Sequence, residues 1–242
     1  MILYEELIRK QFAIDFGCYQ YDFSENLFVT SKPGVNARHV AKGKANIVMY
    51  GNHLFVRTED EELTNKLEKE FSNLPSEWFF EIKTINRLIE LLKEYDMSIK
   101  NISPFFIPKE PIKSTAIDQF KVLREQDILA FKEDKRIKMS FGYDLSYPDR
   151  LGLAYYANNQ LIGLCGASES GKYTWDLGIE ILDNHYEKKG LATSLISELI
   201  SLIQEENKDI VPVYSTAFSH VKSMNVAIRS GCVIGWSEIL ID

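Results

Sequence analysis

The sequence has few cysteines, no long apolar run and no excess of positive charge, and each shortage removes a class of protein. Only three cysteines occur in 242 residues: Cys18, Cys165 and Cys232. They are odd in number and far apart, with neither a zinc spacing nor a disulfide framework. Cys165 and Cys232 lie in apolar stretches and read as buried thiols. No metal site is expected. No apolar run approaches the roughly 18–20 residues that cross a bilayer. The opening residues, Met1 to Lys10, lack a basic segment ahead of an apolar core, so no signal peptide is expected. Lys and Arg total 28 against 35 Asp and Glu, a net charge of −7. That balance argues against general affinity for nucleic acid. Repeats and low-complexity tracts are also missing. The expectation is a soluble cytoplasmic protein that binds neither membrane nor nucleic acid.

What is present suits packed cores. The apolar fraction is 45%, with 12 Tyr and 14 Phe. The length allows one large domain or two small ones. The first forty residues are poorly periodic. Ala45 to Tyr50, the turn Gly51-Asn52 and His53 to Arg57 predict a hairpin. Thr58 to Glu61 predicts a capping box opening a helix with Leu63, Leu67 and Phe71 on one face. A second helix is expected from Thr84 to Tyr95. Pro104, Pro108 and Pro111 make Asn101 to Lys113 a connector. A domain boundary is placed there, giving 1–113 and 114–242.

Beyond it, Phe120 to Leu123 reads as an edge strand and Glu125 to Phe131 as a helix. Leu151 to Ala157, the turn Asn158-Asn159 and Gln160 to Ala167 make a hairpin. Tyr173 to Leu182 is the third strand of this antiparallel meander, apolar at Trp175, Leu177, Ile179 and Ile181. A helix follows Gly190, with Leu191, Leu195, Leu199 and Ile203 on one face. Ile210 to Tyr214 crosses back as a parallel strand. A helix over His220 to Arg229, a stop at Gly231 and a final strand complete the order. The turn around Gly190 is the focus. A helix starting there aims unpaired N–H groups and partial positive charge at the turn. The physical expectation is an anion site for a phosphate or pyrophosphate.

This order resembles the GNAT acetyltransferase superfamily, whose members transfer an acyl group from acyl-coenzyme A. The family's Arg/Gln-x-x-Gly-x-Gly/Ala motif matches Glu187-Lys188-Lys189-Gly190-Leu191-Ala192. Its Asn-x-x-Ser/Ala matches His220-Val221-Lys222-Ser223. Tyr214-Ser215-Thr216 is similar to the Trp-Ser-Thr of a branch with an extra N-terminal domain. The resemblance covers about 114–242. It implies an α+β fold with a mixed, mostly antiparallel GNAT-type sheet flanked by helices, preceded by a smaller α/β N-terminal domain. It implies acetyl-CoA (coenzyme A) as the cofactor. Backbone N–H groups of Lys188, Lys189, Gly190, Leu191 and Ala192, with the Thr193 hydroxyl, would hold the pyrophosphate. Leu182 would pair with the pantetheine arm, and Ser223 would complete the cofactor set. Gly178 suits either a bulge that splays the strands or close backbone packing. Departures are Glu187 for Arg or Gln, His220 for Asn, Cys232 for the aromatic after Gly231, and Ala227 where many members have a Tyr.

Amine acylation needs deprotonation, a polarised carbonyl and proximity. Glu180 is the base candidate, sharing a strand face with Asp176; both are alternatively solvated or ion-paired. His220 is a second catalytic candidate, or else a cofactor-side or capping residue. The leading expectation is an N-acetyltransferase joining an acyl-CoA donor and a small-molecule amine acceptor. The alternative is an inactive acyl-CoA-binding sensor or interaction domain. A third, an unrelated nucleotide binder, fits the antiparallel meander poorly. The N-terminal domain would either wall the acceptor site or mediate homodimerisation.

Overall fold

The structure is a computed structural model, and it describes residues 4–21 and 23–242. In chain order the elements are α1 (Glu5–Asp15), β1 (Leu27–Thr30), β2 (Ala45–Tyr50), β3 (His53–Thr58), α2 (Glu61–Phe71), α3 (Ile82–Lys93) and β4 (Ile99–Pro108). They continue with β5 (Lys121–Arg124), α4 (Glu125–Leu129), β6 (Asp149–Ala157), β7 (Gln160–Glu169) and β8 (Thr174–Ile181). The last four are α5 (Leu191–Glu206), β9 (Val211–Ser215), α6 (Val221–Arg229) and β10 (Cys232–Ile241). The chain divides into two compact units. One comprises Ile8–Phe105, Ala217–Ser219 and Ile234–Asp242. The other comprises Phe106–Thr216, His220–Val233 and the described residues before Ile8. No described helix is long and apolar enough to cross a membrane.

In the first unit, β1, β3, β2 and β10 lie side by side, with β1–β3 parallel and the other two pairs antiparallel. Alternation sorts the side chains. Ile47, Met49, Leu54, Val56, Ile239 and Ile241 meet α2 and α3 residues such as Leu63, Leu67, Leu88 and Leu92. The opposite face carries Phe12, Phe55 and Trp236 in edge-on contact. Buried among them, Arg38 pairs with Asp15 and, at 2.8 Å, with Glu238. Its guanidinium also lies 5.2 Å from the Trp236 ring.

Two local expectations are corrected here, and the poorly periodic start takes a definite form. The poorly periodic start contains α1, whose buried side includes the polar Gln11 and Asp15; they bond each other at 2.8 Å and blur the apolar period. The expected connector Asn101 to Lys113 begins as β4, because the buried run Phe105–Ile107 outweighs Pro104 and Pro108. The cap of α2 is Asp60, which accepts the Leu63 N–H at 2.9 Å; Thr58 ends β3 and accepts the Asp60 N–H.

In the second unit the order is β5-β6-β7-β8-β9, antiparallel except for the parallel β8–β9 pair. Asn158 and Asn159 both have positive φ, the signature of a two-residue hairpin turn. The alternation read from the sequence holds: Leu153, Cys165, Trp175 and Leu177 pack against Leu195, Leu199 and Ile203 of α5. The other face of this sheet carries Ala154 and Leu164 against Leu123, Ile128 and Phe141. No register shift occurs between β7 and β8, so Gly178 makes no bulge. It serves close backbone packing, since a methyl group there would meet the Met139 carbonyl.

Candidate functional site

The site forms where β8 and β9 part. They pair at Thr174–Val211, Trp175–Pro212 and Asp176–Val213 and no further, although β8 runs on to Ile181. Register decides which backbone groups are left facing the wedge. The Leu182 N–H bonds Ile162 on β7 at 2.7 Å, and the Tyr173 carbonyl accepts from Val211 on the β9 side at 2.8 Å. Even-numbered residues of β8 therefore aim their main chain at β7, and odd-numbered ones at β9. Past Asp176, the main-chain groups of Ile179 and Ile181 face the wedge.

At the open end of the wedge lies the turn into α5. Asp183 caps the short 3₁₀ turn Asn184–Tyr186 by accepting the His185 N–H at 2.9 Å. That main-chain bond, with a second from the His185 ring, holds the Asp183 carboxyl below the usual range. Lys188 and Gly190 both have positive φ, 59° and 87°. For Gly190 the cause is conformational: there is open space where a Cβ would sit, but the left-handed φ favours glycine. Gly190 is the cap position of α5 and no side chain caps the helix. Its first intrahelical bond runs from Ser194 to the Gly190 carbonyl. The N–H groups of Leu191, Ala192 and Thr193 thus point out of the helix with no side-chain cap.

These groups border a cavity of about 450 Å³. Its walls are Ile181, Tyr186–Lys188 and Gly190–Thr193 on one side, and His220, Lys222, Asn225, Val226 and Arg229 on the other. Lys188, Lys222 and Arg229 bring positive charge to a site already favoured for anions by the helix start. Glu187 adds a carboxylate, 3.5 Å from the Lys222 ammonium.

The structure brings Lys188, Gly190, Leu191, Ala192, Thr193 and His220 to this cavity. Others lie elsewhere. Lys189 stacks its ammonium 5.2 Å from the Tyr186 ring. Leu182 lines a separate depression with Asp183 and His185, and its N–H is spent on Ile162. Ser223 bonds the Tyr214 hydroxyl at 2.8 Å. His220 stands before α6 but makes no side-chain cap; its Nδ1 lies 3.5 Å from Thr216 Oγ1. Ala227 is fully buried in the core.

Glu180 is not free to act as drawn from sequence. Its carboxylate accepts the N–H of Lys138 at 2.7 Å and of Ser140 at 3.0 Å. It also accepts the Met139 N–H and the Ser140 hydroxyl. Both oxygens are engaged by four donors, which leaves them poorly placed to take a proton from an acceptor. The groups that sequence reasoning missed are Ile181, Asn225, Val226, Lys222 and Arg229. Positions 222, 225, 226 and 229 fall on one helical face, and that spacing was the available signal.

No family model matches the chain, and no curated protein matches it. Solved structures do. A GNAT-family acetyltransferase from Novosphingobium aromaticivorans aligns at 13% identity and TM-score 0.43, over 60% of this chain and 66% of its own. A GNAT acetyltransferase from Colwellia psychrerythraea aligns at 10% identity and TM-score 0.42, over 60% of this chain and 57% of its own. The chain thus spans less than two thirds of the length of either. A GCN5-related N-acetyltransferase from Sphaerobacter thermophilus aligns at 11% identity and TM-score 0.44, over 99% of this chain and 91% of its own. The chain is structurally similar to GNAT acetyltransferases.

Proposed function

We propose that the second unit is an acyltransferase domain that takes acetyl-coenzyme A as donor and passes the acetyl group to the amine of a small molecule. One observation carries the reading: the uncapped, cation-flanked start of α5 opens onto the wedge between β8 and β9. The start of α5 suits a diphosphate. The exposed main chain of Ile179 and Ile181 suits an extended, amide-bearing tail, which would add to the β8 edge as a strand does. Residues present fit such a group, since no side chain fills the turn and three cations oppose its charge.

Bound there, the donor supplies a thioester whose acyl carbon is open to attack. The chain's own part is to hold and orient. Leu191, Ala192 and Thr193 hold the diphosphate by N–H groups that need no rearrangement. An N–H on the open edge of β8 is the donor available to polarise the carbonyl. In the transfer the amine nitrogen would bond the acyl carbon, the C–S bond would break to release the coenzyme A thiolate, and the proton lost by the amine would end on that thiolate. His220, on the cavity wall, is the group proposed to hold that proton.

A second reading is favoured by two observations: the Glu180 carboxylate is fully engaged, and Ala227 offers no hydroxyl. In it the domain binds acyl-coenzyme A as a sensor without turnover. Two measurements separate the readings. Coenzyme A, but not NAD or ATP, raises the melting temperature under both. Thiol release from acetyl-CoA with a panel of primary amines occurs only under the first. No shift with coenzyme A sinks both.

A further inference from the structure

Three glycines face one another across the second sheet. Gly152 on β6 is opposite Gly166 on β7, which is opposite Gly178 on β8. They bare the sheet face away from α5, and residues 139–141 cross it in direct backbone contact. A methyl group at Gly178 would strike the Met139 carbonyl, and one at Gly166 the Ser140 carbonyl and the Phe141 ring. At Gly152 it would strike the Phe141 ring. The crossing is fixed on both sides. Glu180 takes the three N–H groups of Lys138, Met139 and Ser140 and the Ser140 hydroxyl. Asp149 takes the N–H groups of Gly142 at 3.0 Å and Tyr143 at 2.9 Å.

The place of the crossing matters. Gly178 stands two residues past Asp176, the last β8 residue paired with β9. Met139 therefore lies beside the root of the wedge, on the face opposite the α5 helix. Its side chain is not packed away; the residue is 73% exposed. The three N–H groups are already used, so this wall can meet a ligand by shape and apolar contact but not by donating those bonds.

We infer that Glu180 is a positioning residue: it fixes Lys138–Ser140 as the wall an acceptor meets at the root of the wedge, and Met139 on that wall selects an amine with an apolar body. The inference rests on the acyl-transfer reading above. It accounts for a carboxylate on the expected strand face whose oxygens are both engaged by donors of the 138–140 segment.

The test uses the full chain with Glu180→Gln and Met139→Gly, acetyl-CoA as donor, and benzylamine and ethanolamine as acceptors. Glutamine keeps one acceptor oxygen but sets an NH₂ against N–H donors. In Glu180→Gln the melting shift with coenzyme A persists and amide exchange at 138–140 quickens. KM for benzylamine rises about tenfold with kcat held within about twofold, the pattern of lost ground-state binding. Met139→Gly raises KM for benzylamine more than for ethanolamine, and decides the matter if Glu180→Gln does not fold. A loss of kcat at unchanged KM in Glu180→Gln makes Glu180 a base and overturns the inference. So does an unchanged KM in both variants. Absence of a coenzyme A shift or of thiol release in the parent protein overturns the acyl-transfer reading itself, a result distinguishable from the others.

Discussion

Asp176 and Val213 are the last partners that β8 and β9 share. Beyond them two parallel neighbours run apart, and the β8 edge keeps unpaired main-chain groups. Amide exchange reads this directly. Ile179 and Ile181 are expected to exchange rapidly in the free protein and to gain protection with saturating coenzyme A, while Trp175 is slow in both states. Slow exchange at Ile179 without ligand would mean the strands are zipped together, and the site would be lost.

Gly190 has φ 87° with free space around it, so in the unliganded protein its replacement strains the backbone without a steric clash. Gly190→Val forces a β-branched residue into the left-handed region, at a cost of about 1–2 kcal/mol. The same change sets methyl groups beside the N–H groups of Leu191 and Ala192. The expected outcome is a melting temperature a few degrees lower and no further rise with coenzyme A. Differential scanning fluorimetry with and without the ligand checks it.

Lys222 and Arg229 face the cavity but are exposed, so they can be changed without disturbing the core. Arg229→Glu is expected to weaken coenzyme A binding roughly tenfold, about 1.4 kcal/mol, while leaving the unliganded melting temperature in place. Glu187→Gln frees Lys222 from its 3.5 Å partner and removes a negative charge from the wall. It should tighten binding, and the gain should shrink with added salt. Titration calorimetry at two ionic strengths separates these effects; equal affinity in all three proteins would place the anion elsewhere.

Glu198, on α5, is nearly buried and accepts hydrogen bonds from Ser114 at 2.6 Å and from the N–H groups of Thr115 and Ala116 at 2.8 Å. Burial pushes its carboxyl upward, but these bonds outweigh it and hold it below the usual range. A carboxyl lowered by folding adds stability above its unfolded value, about 4.3, and loses it as pH falls through the lower folded value. Glu198→Gln is expected to cost about 1–3 kcal/mol at neutral pH. The difference from the parent should narrow as pH drops below that unfolded value. Urea melts at several pH values test both the size and the sign; a difference that widens in acid would contradict the hydrogen-bond account.

Legibility in the sequence followed the range of the interactions. β8 and α5 were readable because Trp175, Leu177, Leu195 and Leu199 repeat at the period of their own element. The Asn158-Asn159 turn was readable because its conformation is set by two adjacent residues. α1 was not, because buried Gln11 and Asp15 are satisfied by partners that periodicity ignores. β4 was hidden by prolines whose missing donors matter only once a neighbouring strand is known. The same limit governs the site. The turn at Gly190 shows itself in a few consecutive residues. Which oxygen or N–H is free does not: alternation sets Glu180 on its strand face, but Ser140, 40 positions away, decides what its carboxylate does.

The pairing of Arg38 with Glu238 has a consequence for synthesis on the ribosome. These residues are 200 positions apart, yet the guanidinium is enclosed by Phe12, Phe105 and Trp236 and needs that carboxylate. β2 likewise waits for Trp236–Ile241 to cover its free edge. Until residues 236–241 emerge, the polypeptide must therefore carry an Arg38 balanced by Asp15 alone, without its second carboxylate, and a bare edge on β2. That delay favours slow, late consolidation of the first unit and gives chaperones a defined segment to shield.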